Sequence, residues 1–159
     1  SQDVRRDWES MEEIVGAVLV RIRQRDPSRR IKSSVPQGLP LIRADPVLLA
    51  QLIGNLLDNA LKYSQDTIDL TVKLEQHAMQ VAVKDRGAEI PDDKYASIFE
   101  PYSRSDLSGQ RGAGLGLALC RAIAAAHGGS LTLRRRSGGG NSFTFSMPLE
   151  ASQPTGELP

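Results

Sequence analysis

"NLLDNALKYS", residues 55–64, combines an apolar helical repeat with polar side chains that fall on one line. At 100° per residue, Asn55, Asn59 and Lys62 share a narrow stripe beside the apolar face of the helix. Asparagine is a poor helix former, so two of them on one half-buried line indicate a role beyond folding. Amide oxygens can bind a hard cation such as Mg²⁺, and a lysine can contact phosphate. Chance placement, with hydrogen bonds on the helix surface, is the alternative.

Length and composition are those of one globular domain. The chain has 159 residues, of which 40% are hydrophobic and 25% charged, and its formal net charge of +1 favours neither nucleic acid nor a membrane surface as a partner. Cys120 is the single cysteine and lies in an apolar run, which predicts a buried structural thiol. We expect a flexible segment at 1–7, one domain at 8–149 and a disordered tail at 150–159.

Hydrophobic periodicity divides the chain into helices and strands. The predicted helices cover 8–25, 46–64 (capped by Asp45) and 115–126, with a short helix near 91–98. The predicted strands are 29–35, 39–44, a hairpin of 68–74 with 79–83 turning at Gln76-His77, and a second hairpin around "SGGGN" at 137–141. Strand pairs set between helices predict a sheet with helices on one face.

Two further stretches carry candidate chemistry. In "GAGLGLALC", residues 112–120, three alternating glycines precede an apolar helix. Such a stretch can bare consecutive N–H groups towards a phosphate, or it can be only a flexible loop. Asp85 ends a predicted strand and is followed by Gly87. This carboxylate could accept a hydrogen bond from an exocyclic amine, or it could be a plain turn aspartate.

Four segments in this order resemble the asparagine, first glycine, phenylalanine and second glycine boxes of bacterial sensor histidine kinases. They are "NLLDNALKYS", "DRGAEIP", "IFEPYSR" and "GAGLGLALCRAIAAAHGG", and the resemblance covers about residues 9–149. The opening "DWESMEEIVGAVL" resembles the potassium-responsive, KdpD-like group of these kinases.

The resemblance implies a catalytic ATP-binding domain of the GHKL superfamily. Its fold would be an α/β (α+β) two-layer sandwich, the Bergerat ATP-binding fold, with a mixed sheet of about five strands and about three helices on one face. ATP would lie between helices under a mobile lid at 103–113, and Phe99 would pack at the base of the lid.

The same resemblance implies roles for individual residues. Asn55 and Asn59 would hold Mg²⁺, Lys62 would meet phosphate, and Asp85 would read the adenine amine while Gly87 lets the base lie close. The expected nucleotide contacts are Asn55, Asn59, Lys62, Tyr63, Asp85, Gly87, Ile90, Arg104, Arg111, Gly112, Gly114, Leu115, Gly116 and Leu117.

Sensor kinases phosphorylate a histidine in a His-Glu/Asp-x-x-x-Pro segment of a separate dimerisation domain. His77 and His127 are the histidines of this sequence, and neither has that context. We therefore expect a fragment that is inactive alone, the cytoplasmic part of an inner-membrane sensor kinase. Its partners would be its own dimerisation domain and, through it, a response regulator.

Two alternatives remain open: a stand-alone serine kinase of the anti-sigma-factor type, and a degenerate nucleotide-binding interaction module. In related ATPases that hydrolyse ATP, a glutamate base stands where this chain has Asn55. An amide cannot take a proton from water at neutral pH, which favours transfer over hydrolysis.

The first glycine box departs from the family pattern Asp-x-Gly-x-Gly-Ile. Glu89 replaces its second glycine, and Arg86 stands where asparagine is most common. A positive φ at Glu89 would be strained, and its charge would repel an anionic ligand unless Arg86 or a lid arginine neutralised it. We expect ATP affinity below the family norm, with Glu89→Gly tightening it. The alternative is that Glu89 points into solvent.

Overall fold

The computed structural model describes residues 6–101 and 113–150. The predicted segment 1–7 and tail 150–159 therefore lie almost wholly outside the described residues, as does most of the predicted lid. The helices are α1 (Met11–Arg25), α2 (Pro46–Tyr63) and α3 (Ala113–Ala126). The strands are β1 (Asp7–Glu9), β2 (Ile31–Ser34), β3 (Ile42–Ala44), β4 (Ile68–Glu75), β5 (Ala78–Asp85), β6 (Ser130–Arg135) and β7 (Asn141–Pro148). In the part of the chain described, no helix is both long and apolar enough to span a membrane.

A five-stranded sheet forms one layer, with strand order β2-β4-β5-β7-β6. β2 pairs with β4 in parallel, and the other neighbours are antiparallel. Val83, Phe143 and Leu133 share one row across β5, β7 and β6 and are buried, while their neighbours along each strand alternate to the other face. The predicted two-layer sandwich with a mixed sheet is confirmed.

The helices form the second layer, in which α2 contacts both α1 and α3. As predicted, Asp45 caps α2, and its carboxylate accepts hydrogen bonds from the backbone N–H groups of Val47 and Leu48. The end of α3 meets this cap. The buried His127 accepts a hydrogen bond at Nε2 from the Asp45 N–H (3.0 Å), and its Nδ1 lies 2.9 Å from the Ile123 carbonyl oxygen.

A small two-stranded sheet of β1 and β3 lies outside the main sheet, and the sequence analysis missed β1. The predicted helix at 8–25 begins only at Met11, because Ser10 caps it. Trp8 lies opposite Arg43 in the register, and the guanidinium carbon lies 5.7 Å from the centre of the indole. A three-residue strand is too short to show an alternating pattern, which explains the miss.

Two other boundaries differ from the prediction. The helix expected near 91–98 is a pair of short 3₁₀ turns, Asp92–Lys94 and Ser97–Phe99. α3 begins at Ala113, two residues before its predicted start. The hairpin of β4 and β5 turns where predicted, with positive φ angles of 50° at Gln76 and 66° at His77.

The two ends of the described chain meet. Arg6 forms an ion pair with Glu150 at 3.7 Å, and it also donates hydrogen bonds to the Arg43 carbonyl oxygen. Residues 6 and 150 therefore lie close to each other, next to the small β1–β3 sheet.

Candidate functional site

The polar stripe of α2 lies at the margin of the helix's buried face. Asn55, Asn59, Lys62 and Tyr63 are all half-buried, whereas Leu56, the residue after Asn55, is fully buried. The Lys62 ammonium lies 5.6 Å from the centre of the Tyr63 ring. The arrangement agrees with the stripe expected from helical spacing.

Two contacts fix how α3 lies against α2. Cys120 donates a hydrogen bond from its thiol to the Leu52 carbonyl oxygen (3.5 Å), and His127 reaches Asp45 at the start of α2. The two helices are therefore antiparallel. With a rise of about 1.5 Å per residue in each, the first turn of α3 lies alongside the last turns of α2, which carry Asn59 and Lys62.

Cys120 also contacts the first asparagine of the stripe. Burial raises the pKa of Cys120 to about 12, and a hydrogen bond with the Asn55 side chain opposes part of that shift. The Asn55 side chain therefore lies within reach of the sulfur. The predicted buried structural thiol is confirmed.

The first turn of α3 holds part of the predicted glycine-rich site. Gly114, Leu115 and Gly116 belong to this turn, whose N–H groups have no partner within the helix. A Cβ added at Gly116 would meet no atom of the described residues within 4 Å. Leu115 is about half exposed. Gly112, Arg104 and Arg111 lie outside the described residues.

Asp85 ends β5 and is 2% exposed. Its Oδ1 accepts hydrogen bonds from the Gly87 N–H (2.8 Å) and from Nδ2 of Asn141 (3.4 Å). Its Oδ2 makes no hydrogen bond to any residue that the structure describes. The carboxylate is thus held by one oxygen, while the other is available to a donor from outside the described residues.

Gly87 brings the loop after β5 against the end of α2. A Cβ at this position would lie 2.4 Å from the Tyr63 carbonyl oxygen and 3.3 Å from Oδ1 of Asp85. No side chain fits there, so a glycine is required for this close approach of two backbones. The approach places the predicted Asp85–Gly87 pair next to the predicted Lys62–Tyr63 pair.

Sequence reasoning missed Asn141, the first residue of β7. It is 2% exposed and pairs with Asp85 in the register of β5 and β7. Its Nδ2 donates to the Ala88 carbonyl oxygen (2.9 Å), and its Oδ1 accepts from the Ile90 N–H (3.1 Å). Asn141 therefore positions the loop that follows Asp85. An asparagine just after three glycines reads as a turn residue, so the sequence held no signal of this role.

The expectations for Glu89 and Arg86 need correction. Among the described residues other than glycine, only Gln76 and His77 have positive φ, so the strain predicted at Glu89 is wrong. The Glu89 carboxylate pairs with Arg135 (3.6 Å), not with Arg86. Arg86 instead donates to backbone carbonyl oxygens of the turn between β6 and β7.

Three apolar residues near the site belong to the core. Ile90 and Leu117, both predicted to contact nucleotide, are each 5% exposed and pack in the main hydrophobic cluster. Phe99 is buried with its ring edge-on to Phe143 at 6.1 Å, and the Arg121 guanidinium carbon lies 6.0 Å from the centre of the Phe99 ring. Phe99 thus packs the 3₁₀ segment against both α3 and the sheet.

The site therefore combines amide groups on α2, helix N–H donors on α3 and a buried carboxylate at the end of β5. A model of the family described as histidine kinase-, DNA gyrase B- and HSP90-like ATPase matches residues 44–151, which include all three elements. Among curated proteins, the sensor protein KdpD of Escherichia coli (strain K12) is 35% identical over 153 residues, covering 94% of this chain and 17% of KdpD.

Another similar protein is the adaptive-response sensory kinase SasA of Gloeothece citriformis. It is 38% identical over 128 residues, which cover 78% of this chain and 33% of SasA. The chain thus spans between about a sixth and a third of these two relatives.

Two solved structures have the same fold. Full-length ShkA in complex with AMPPNP has a TM-score of 0.81 at 28% identity, covering 96% of this chain and 33% of ShkA. The mycobacterial sensor histidine kinase MprB has a TM-score of 0.79 at 24% identity, covering 94% of this chain and 99% of that chain.

Proposed function

Because the chain belongs to the histidine kinase-, DNA gyrase B- and HSP90-like ATPase family, we propose that it binds Mg-ATP and supplies the γ-phosphoryl group to a histidine on a separate dimerisation domain. The whole protein would be a sensor histidine kinase of a two-component system, placed at the inner membrane with this domain in the cytoplasm. A response regulator would then receive the phosphoryl group from that histidine.

The hydrogen bonding of the Asp85 carboxylate is the observation that carries the proposal. Oδ1 of Asp85 accepts two hydrogen bonds, whereas Oδ2 accepts none from the described residues and is not one of their fully buried unpaired atoms, so a ligand can reach it. An exocyclic amine of adenine is a donor of the kind this oxygen lacks. Guanine presents a carbonyl oxygen at the corresponding ring position, so the proposed site prefers adenine.

The donor set of α2 fits a magnesium ion. The Asn55 side chain lies beside the Cys120 sulfur, and its amide oxygen is a ligand of the kind that a hard cation prefers. We assign Asn55 and Asn59 as the residues that hold Mg²⁺, with Lys62 on phosphate. The N–H groups of the first turn of α3, from Gly114 to Gly116, add donors for phosphate oxygens at the positive end of a helix.

In this proposal Mg-ATP supplies the phosphoryl group, and the chain's residues orient it. Asp85 and Gly87 fix the base, and Tyr63 lines its pocket. The side chain of Asn55 accepts no proton from water at neutral pH, so the site has no general base at this position. Water is therefore not activated, and the phosphoryl group is kept for the histidine of the partner domain.

A thermal-shift experiment with the aspartate variant tests the proposal. At a hundredfold excess over Kd, Mg-ATP should raise the Tm of this chain by roughly 5–10 °C, because a ligand that binds only the folded state adds about 2.7 kcal/mol of stability. In Asp85→Asn an amide donor would face the adenine amine. Its ATP affinity should fall about 10- to 100-fold.

Asp93→Asn is the matched control, since Asp93 is exposed on the 3₁₀ turn and loses the same charge. It should bind ATP as the unchanged chain does. Equal shifts with ATP and GTP in the unchanged chain, or an unchanged ATP affinity in Asp85→Asn, would contradict the assignment of adenine to Asp85.

A further inference from the structure

The turn between β6 and β7, residues 137–140, lies directly on the backbone of Asp85 and Arg86. Gly140 has a φ of 107°, and a Cβ there would lie 2.0 Å from the Asp85 carbonyl oxygen and 2.8 Å from Cα of Arg86. Two stretches of backbone are thus in contact, with no space for a side chain between them. A shift of the turn towards β5 would therefore displace the end of that strand.

Arg86 connects the loop after β5 to this turn. Its Nη1 donates to the carbonyl oxygens of Ser137 (2.6 Å) and Gly139 (2.7 Å). Gly138 leaves room for the guanidinium, because a Cβ at that position would lie 3.1 Å from Nη1. The two hydrogen bonds have a charged donor and are stronger than bonds between neutral groups.

Asn141 follows the same turn and connects it back to the loop after β5. Asn141 follows Gly140 directly and holds the carbonyl oxygen of Ala88 and the N–H of Ile90. Arg86 therefore fixes the turn, the turn places Asn141, and Asn141 places the loop that begins with Asp85 and Gly87. These contacts connect Arg86, the turn, Asn141 and the loop after β5 in a closed circuit next to the proposed adenine site.

We infer that Arg86 is a positioning residue for the proposed nucleotide site: by holding the β6–β7 turn it sets the orientation of Asp85 and of the loop that follows. This inference rests on the proposed function. It assigns Arg86 an action through backbone carbonyl oxygens, with no contact to the nucleotide. A direct attraction between the Arg86 charge and the nucleotide phosphates is the rival explanation that the experiment must exclude.

Three variants separate positioning from charge. Arg86→Ala removes both hydrogen bonds and the charge, while Arg86→Lys keeps the charge but loses the planar fork. Arg134→Ala is the matched control: Arg134 is exposed on the neighbouring β6, loses the same charge, and makes no hydrogen bond or ion pair with the described residues. Kd values for ADP and GDP are measured by calorimetry at low and high salt.

If Arg86 positions the site, Arg86→Ala should bind ADP about tenfold more weakly, which corresponds to about 1.4 kcal/mol, because the loop after β5 is no longer held in its orientation. The change for GDP should be smaller, so the preference for ADP over GDP should fall. Arg86→Lys should be intermediate, and Arg134→Ala should stay within about twofold of the unchanged chain.

Several results would overturn the inference. One is an Arg86→Ala chain that binds ADP as the unchanged chain does. Another is an equal, salt-sensitive weakening in Arg86→Ala and Arg134→Ala, or full affinity in Arg86→Lys, since either indicates charge attraction. If Arg86→Ala does not fold, the ratio of the Kd for ADP to the Kd for GDP in Arg86→Lys decides between the two explanations. Failure of the unchanged chain to bind ADP would instead contradict the proposed function itself.

Discussion

Cys120 is a described residue whose titration changes strongly on folding. Burial raises its pKa from 9.0 to about 12, so the unfolded chain loses this proton at lower pH than the folded chain does. The thiol's contribution to stability is therefore complete below pH 9.0 and is lost as the pH rises towards about 12. Over that interval we expect the free energy of unfolding to fall by about 1.4 kcal/mol per pH unit from this group.

Urea unfolding between pH 8 and 10.5 measures this effect in the unchanged chain and in Cys120→Ala. The variant loses stability at every pH because it leaves a cavity, but it lacks the thiol's titration. The difference between the two chains should therefore shrink above about pH 9. If the free energies of unfolding of the two chains stay parallel as the pH rises, folding does not raise the pKa of Cys120.

At the scale of single residues, the sequence predicts the residues whose role follows from a local pattern in the chain. Asn55, Asn59 and Lys62 follow from helical spacing, and Asp85 from its place at the end of a strand. Glu89 shows the limit. Its backbone angle depends on how the loop is held by Asn141, and its ion-pair partner Arg135 lies on a strand whose register no local pattern reveals.

Between elements, one contact fixes the end of α3 to the start of α2. His127→Phe keeps an aromatic ring there but removes the acceptor of the Asp45 N–H and the partner of the Ile123 carbonyl oxygen. Leaving buried polar groups unpaired costs about 1–3 kcal/mol, so urea unfolding should show a loss of that size.

Nucleotide binding separates this structural effect from a functional one. α2 is about 27 Å long, so its cap lies far from Asn59 at the other end. His127→Phe should therefore keep the nucleotide affinity of the unchanged chain at temperatures where it is folded. His77→Asn is the control, because His77 is exposed in the β4–β5 turn and asparagine tolerates its positive φ of 66°. A stability of His127→Phe equal to that of the control would contradict the contact's importance.

The elements themselves differ in how well the sequence predicts them. α2 was predicted within one residue, because its periodicity is long and Asp45 and Pro46 mark its start. β1 has three residues and depends on pairing with β3, and the pairing of β5 with β7 joins residues more than fifty positions apart. Asn141 therefore meets Asp85 only through tertiary structure.

At the scale of the whole molecule, the proposed function requires a second domain for phosphotransfer. The isolated chain should carry no stable label after incubation with γ-labelled ATP. Addition of a dimerisation domain with a phosphoacceptor histidine should yield labelled histidine on that domain. Asn59→Ala should lower the initial rate by roughly 100-fold or more, since correct metal placement contributes several kcal/mol to phosphoryl transfer.

Gln51→Ala is the control for this variant. Gln51 is an exposed amide on the same helix, outside the proposed site, and its loss should leave the transfer rate unchanged. A stable phosphate on the isolated chain would contradict the proposed division of labour and support a stand-alone serine kinase.

The contact of Arg6 with Glu150 would allow the elements to be connected in a different order along the sequence. Because the side chains of Arg6 and Glu150 lie 3.7 Å apart, a short linker in place of residues 1–5 and 151–159 could join residues 150 and 6 without disturbing either sheet. New termini could then be opened at Gly38, which is exposed between β2 and β3 and has open space around it. In such a circular permutant β1 would follow β7 directly, and the domain could be inserted into a loop of another protein as a single module.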